Sequence, residues 1–478
     1  MNSTTKEMDT ATATTGPTGR LATWVESLTW EAIPAPVRDR ALDLILDGIA
    51  CALVGAQLPW SRIATDAVLA LEGAGDCAVI GTGRTTSAPA ATLLNSTFIQ
   101  GFELDDFHPV APVHSASLIV PSLLATASLL PRAVTGRELI TAAVAGFETG
   151  PRVGHALHGS QMLSRGWHSG PVFGTHTAAM AAGKLRGLSA GRLEDALGFA
   201  ATQSAGLMSA QYEAMGKRMQ HGFAARNGFY AAGLAAAGYT GIKRVFEREY
   251  GGFLAVFGEG HDPRPESITE GLGTQWETTI IMVKSYAVMG GLHGAVEAAR
   301  AVRDRVKIDQ IERIDLRVGN VVYHHGWWQP ERPLTPIGGQ MNIGYATAVT
   351  LLDGTALPEQ FTAERLDADD VWALLNRTHV TLDAEIDALP LTERFSTYLD
   401  ITLTDGTVIS EVVVSPHGSP LDPVTRDEVV DKYRALTSRV LDSRRQAAIE
   451  ETVLGLGNAD DIRPLIELLA PVVGRALD

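Results

Sequence analysis

Apolar residues recur every third or fourth position over most of this chain, the period of helices packed on a core. The spacing predicts helices at residues 21–27 and 38–54, the second announced by Pro34 and Pro36. It predicts others at 118–130, 172–185, 193–209, from 217 to about 238, and at 295–305, 345–352, 426–441, 445–454 and 464–469. Strand-like runs are few: 77–80, 278–284, 313–318, 379–382, and a hairpin of 396–403 with 408–414 turned by Asp405-Gly406. The order predicts a mainly α fold, a large helical domain (21–268 and 418–478) interrupted by a smaller α+β lid domain (269–417). Residues 1–20, rich in Thr, Ala and Gly, read as a disordered leader.

Composition narrows the partners. A net charge of -16 argues against nucleic acid or an anionic membrane as the main partner, but is compatible with a small anion in a local basic pocket. Two cysteines, Cys51 and Cys77, supply neither a disulfide framework nor a cysteine-rich metal site, and point to a reducing, cytoplasmic setting. No apolar run reaches the length of a membrane span. Gly81-Thr-Gly83 follows a strand-like run, but no third glycine and no Gly-Lys-Ser/Thr completes a nucleotide loop.

Three stretches carry chemistry. Residues 216–228 put Lys217, Arg218, His221 and Arg226 at the mouth of a helix otherwise made of small residues. Cations there pair with a bound carboxylate or phosphate, or else lie on a solvated turn with Arg226 on an internal carboxylate. Glu103-Leu-Asp-Asp-Phe-His108 precedes a Pro-Val-Ala-Pro-Val loop and His114, where Ser115 or Ser117 can cap the next helix. Glu103 or Asp105 beside His114 would suit acid–base chemistry, against the plainer reading of a helix end with solvated acids. His168 stands likewise at a helix start, and Tyr323-His-His-Gly-Trp-Trp328 reads as a lid or a core corner. A His-Glu-x-x-His metal motif and a Gly-x-Ser-x-Gly elbow are both missing. Proton transfer on an anionic substrate remains, with no metal.

These stretches carry a resemblance. Glu103-Leu-Asp-Asp-Phe-His through His114-Ser-Ala-Ser, Gly166-Trp-His168, Gly183-Lys-Leu-Arg-Gly-Leu, Ala201-Thr-Gln and Lys217-Arg-Met-Gln-His-Gly-Phe-Ala-Ala-Arg resemble the MmgE/PrpD family, which includes 2-methylcitrate dehydratases and cis-aconitate decarboxylases. The motifs are most similar to the fungal decarboxylase branch. The resemblance implies cofactor-independent conversion of cis-aconitate to itaconate and carbon dioxide, usually by a homodimer. A methylcitrate-type dehydratase is the alternative, and a non-catalytic polycarboxylate-binding protein a third. By motif, His114, His168, Lys217, Lys284 and Tyr323 would be catalytic, and Glu103, Asp105, Arg218, His221 and His293 would bind substrate. Animal members place a histidine five residues after the lysine matching Lys284, where this chain has Met289; His293 or Tyr323 would then supply the missing donor. Replacing Lys217 with Met is expected to abolish turnover and leave the fold intact.

Overall fold

The computed structural model describes residues 15–390 and 393–477. It is mainly α, as the periodicity predicts. At its centre lies Ser169–Leu185, a helix of Gly, Ala, Thr and Val buried along nearly its whole length. Four further helices surround it: Ser115–Leu129, Gly136–Ala156, Ala190–Thr202 and Gly216–Ala236. Small side chains allow the close approach. A Cβ at Gly228 would fall 2.4 Å from the Thr175 carbonyl oxygen, so only glycine fits where the Gly216–Ala236 helix crosses. Among the described residues no single helix is long and apolar enough to cross a membrane.

The first helix begins at Pro17 rather than Leu21, with Thr18 fully buried and hydrogen-bonded to Glu247. Residues 17–20 are therefore structured, and residues 1–14 of the expected leader lie outside the described residues. The helix expected at 193–209 stops at Thr202, where Gln203, Ser204 and the left-handed Gly206 break it.

Residues 278–284 do not form the expected strand. Glu148, buried on the Gly136–Ala156 helix, accepts from the backbone N–H groups of Glu277 and Thr278 and folds them into one 3-10 turn. Beyond it a single antiparallel bridge joins Met282 to Phe107. A β-prone composition cannot make a strand where no neighbouring strand offers a ladder.

The remaining strands form two sheets: Cys77–Val79 pairs antiparallel with Arg84–Thr86, and a four-stranded sheet has the order Thr378–Leu382, Ile311–Val318, Thr397–Leu403, Val408–Val413. In the larger sheet the first pair is parallel, with Ile314 opposite Thr378, and the other two are antiparallel. Ile314, Leu316, Val318, Leu399 and Ile401 face the core, and the His293–Val302 helix covers the Thr397–Leu403 and Val408–Val413 strands. After the sheet, Arg426–Thr437 returns to pack on Ala35–Gly55, tied by Arg426 to Asp43 at 2.7 Å and by Lys432 to Asp47 at 2.5 Å.

Candidate active site

The Ala88–Ile99 helix ends in a 3-10 turn, and Glu103 follows with φ of +53°. A left-handed glutamate is uncommon, and such outliers mark sites that the surroundings over-determine. Here the turn aims the Glu103 carbonyl and side chain at one partner. Lys284 Nζ lies 3.2 Å from both Glu103 O and Glu103 Oε2. Lys217 Nζ donates to Oε1, which also accepts from Gln100 Nε2 at 2.8 Å. Burial alone would raise the Glu103 carboxyl, but Lys217 and Lys284 hold it well below the usual range. Burial also lowers Lys217, against the pull of Glu103. Two ammoniums sharing one carboxylate leave a positive charge uncompensated in a dry site, and an anion is its natural complement.

Arg218 adds cation without facing the cavity. Its guanidinium donates to Gly101 O at 2.7 Å and Gln340 Oε1 at 2.9 Å and stacks 4.1 Å from the Trp60 ring centroid. Placement thus assigns it to joining segments rather than touching a ligand.

The loop from Glu103 to His114 positions the next groups. Asp106, fully buried, accepts from Ser115 N at 3.0 Å and Ala116 N at 2.9 Å and so caps the Ser115–Leu129 helix, in place of the expected Ser115 or Ser117. Ser117 instead donates to the His114 carbonyl. Asp105 Oδ1 lies 3.1 Å from His114 Nδ1. A carboxylate oxygen only accepts, so Nδ1 carries the hydrogen and Nε2 is the free ring nitrogen.

His168, first residue before the central helix, has Nδ1 2.7 Å from Gln220 Oε1. The Gln220 amide is oriented by donating to Leu207 O at 3.0 Å, so His168 Nδ1 is the donor and its Nε2 a lone pair. Burial, helped by Lys217, pushes His168 well below the ordinary histidine range and keeps it neutral. His221, one turn after Lys217, packs edge-on between the two, with ring centroids 4.8 Å from His114 and 5.0 Å from His168. Gly170 makes room for it, since a Cβ there would fall 2.5 Å from His221 Nε2.

Glu103, His114, His168 and Lys217 converge on one cavity. The rest of its wall is largely apolar, including Phe107, Leu163, Met208, Met289, Met341 and Phe395. Asp105, Lys284 and His221 stand behind this wall and hold its polar groups. His293 and Tyr323 do not reach it: His293 packs on the Tyr286 ring, and Tyr323 lies on another face of the Asn320–Gly326 helix. His325, two residues after Tyr323, lines the cavity with Val321, one helical turn before it. Helical spacing within 320–326 was the signal for it, and a reading of that segment as an undivided aromatic cluster misses it.

A second group, His108, His155 and Glu277, has the composition of a metal triad. His108 Nδ1 accepts from Ala111 N at 3.0 Å, so its hydrogen sits on Nε2, pointed at Glu277 Oε2 3.0 Å away. A metal on that nitrogen would require the ring to give up its only hydrogen or break the backbone bond. The trio is a hydrogen-bonded brace, and both histidines hold Glu277 below its usual range despite its burial.

Fold and site together define a pocket for a small polyanion with proton-carrying groups at its edge. Comparison with known proteins agrees. The profile of the MmgE/PrpD N-terminal domain matches residues 19–266, and that of the MmgE/PrpD C-terminal domain matches 286–457. The chain belongs to the MmgE/PrpD family. It is 46% identical to a cis-aconitate decarboxylase-like protein of Aspergillus oryzae, over 95% of this chain and 97% of that protein. It is 41% identical to the cis-aconitate decarboxylase of Aspergillus terreus (97% and 98%) and 26% identical to that of Homo sapiens (79% and 79%).

Proposed function

We propose that this chain is a carboxy-lyase that converts cis-aconitate to itaconate and carbon dioxide. The observation that carries the reading is the buried cavity with one excess ammonium charge and two differently wired histidines, in a chain near full-length similar to proteins named for that activity. Loss of carbon dioxide from the CH2-carboxylate arm leaves a carbanion delocalised through the double bond toward the far carboxylate. Protonation at the far carbon gives itaconate, so the trianion consumes one proton and yields a dianion. Lys217 holds a carboxylate that gains charge as the bond breaks. The apolar wall of Phe107, Met208, Met289 and Phe395 leaves the departing carboxylate poorly solvated, which favours the neutral product. His114 is the donor to carbon, and His168, held neutral with its hydrogen on Gln220, carries no proton at Nε2.

The cavity is lined by two stretches of chain, one with Glu103, His114, His168 and Lys217 and the other with residues of 289–341 and Phe395. That division supports a helical domain of 21–268 with 418–478, and 269–417 as a lid. Phe223, Tyr230 and Leu234 form an exposed apolar stripe on the Gly216–Ala236 helix, with Met215 and Tyr212 exposed beside its start. The stripe fits a homodimer contact, which sedimentation velocity would reveal as a single dimeric species.

The direct test is mass analysis after incubation of purified protein with cis-aconitate and 2-methylcitrate. Itaconate with carbon dioxide is expected; release of water from 2-methylcitrate with cis-aconitate untouched would move the protein to the dehydratase reading. The wiring of His168 adds a pH prediction. Gln220→Glu puts a carboxylate against His168 Nδ1 and favours the imidazolium, so the acid limb of the kcat/KM profile should move to higher pH. An unmoved limb would show that a neutral His168 is not required.

A further inference from the structure

Met289 gives its part of the cavity wall no polar donor, and neither His293 nor Tyr323 reaches the cavity to supply one. His325 does. It is 6% exposed, and its Nε2 is buried with no hydrogen-bond partner among the described residues. An unpaired buried ring nitrogen is costly unless something completes it. It also occupies the neighbourhood of Met289: a Cβ on Gly326, the residue after His325, would lie 3.2 Å from Met289 Cε. The Asn320–Gly326 helix that presents it is fixed at its start by Asp387, which accepts from Asn320 N at 2.9 Å.

We propose that His325 is a substrate-binding residue, its Nε2–H donating to a carboxylate of the bound tricarboxylate from the wall that Met289 leaves without a donor. The inference rests on the polycarboxylate reading above and deepens it. The titratable groups around the ring are Lys217 and Glu103 in the cavity wall, His114 and His168 in the same cavity, and His324 beside it on the helix. Burial, with Lys217, pushes His325 down to about 4, so in the empty cavity the ring is neutral with one mobile hydrogen. An anion settles that hydrogen on Nε2.

The probe is tricarballylate, an unreactive saturated tricarboxylate, with glutarate as the dicarboxylate control, both measured by calorimetry. His325→Leu should bind tricarballylate about tenfold to a hundredfold more weakly, as loss of a hydrogen bond to a charged group implies, while glutarate affinity changes less than threefold. His325→Gln, which keeps an N–H donor, should recover part of the loss. Met289→His added to His325→Leu should recover most of it by restoring a donor to the same wall. Tricarballylate affinity within threefold of wild type in His325→Leu, or an equal loss for both ligands, would overturn the proposal. Should His325→Leu fail to fold by thermal melting, His325→Asn, which shortens the reach, carries the same two-ligand comparison. Wild type that binds tricarballylate but leaves cis-aconitate unchanged would sink the decarboxylase reading and leave His325 standing. Wild type that turns over cis-aconitate, with unaltered binding in the variants, would sink the His325 assignment alone.

Discussion

Lys217→Met should abolish turnover and destabilise the protein modestly, and adding Glu103→Gln should destabilise it further without restoring activity. The sequence alone suggests a free cation whose loss leaves the fold intact. In the structure Lys217 is instead paired with Glu103 in a site where both side chains are 2% exposed. Removing one partner of a buried ion pair costs about 3–5 kcal/mol, because the other charge is left behind. Lys284 still balances the Glu103 charge and Gln100 still holds it, so the cost should fall below that range. Glu103→Gln then takes the carboxylate away from Lys284 and strands that buried ammonium, so the double variant should melt below the single one. Activity is lost in both variants, since the ammonium that stabilises charge at the reacting carboxylate is gone, a loss of about 10²–10³ in kcat by analogy with other electrostatic donors. A single variant that keeps turnover, or a double variant that recovers it, would remove Lys217 from the chemistry.

Local signals carried the helices and the hairpin, because 3.6-residue periodicity and an Asp405-Gly406 turn are written in neighbouring residues. What failed was decided at a distance. The 278–284 run has strand composition, but the carboxylate of Glu148 captures its first N–H groups. The cap of the Ser115–Leu129 helix comes from Asp106, nine residues upstream of Ser115, across the proline loop. His114, His168 and Lys217 were legible as candidates because each stands at the start of a close-packed helix. Their exact duties were not. Which carboxylate receives Lys217 and Lys284 depends on a contact 114 residues long in sequence for one and 181 for the other. Arg218, adjacent to Lys217, turns the opposite way and is consumed by Gly101, Gln340 and Trp60. That His325 rather than Tyr323 lines the cavity follows from the register of one short helix, which sets the two on different faces.

His114→Ala should lower kcat by about 10²–10⁴ with KM changed far less, the range for losing a positioned general acid. Two histidines line the cavity on its helical side, and their hydrogen bonds separate their duties. His168 gives its only hydrogen to Gln220, and burial keeps the ring neutral, so its cavity-facing nitrogen can accept but not donate. His114 gives Nδ1–H to Asp105 in either protonation state, so it can load and deliver a proton at Nε2 without turning the ring. Decarboxylation consumes one solvent-derived proton per turnover, and of these two only His114 is wired to supply it. In deuterated water the product should therefore carry one deuteron at its saturated carbon, with no exchange at the new methylene. Asp105→Asn should reduce kcat in the same direction, because an amide can present its NH2 to Nδ1 and leave the ring's hydrogen on the wrong nitrogen. An undiminished kcat in His114→Ala, with deuterium still delivered to the same carbon, would transfer the donor role to His325, the remaining histidine of the cavity.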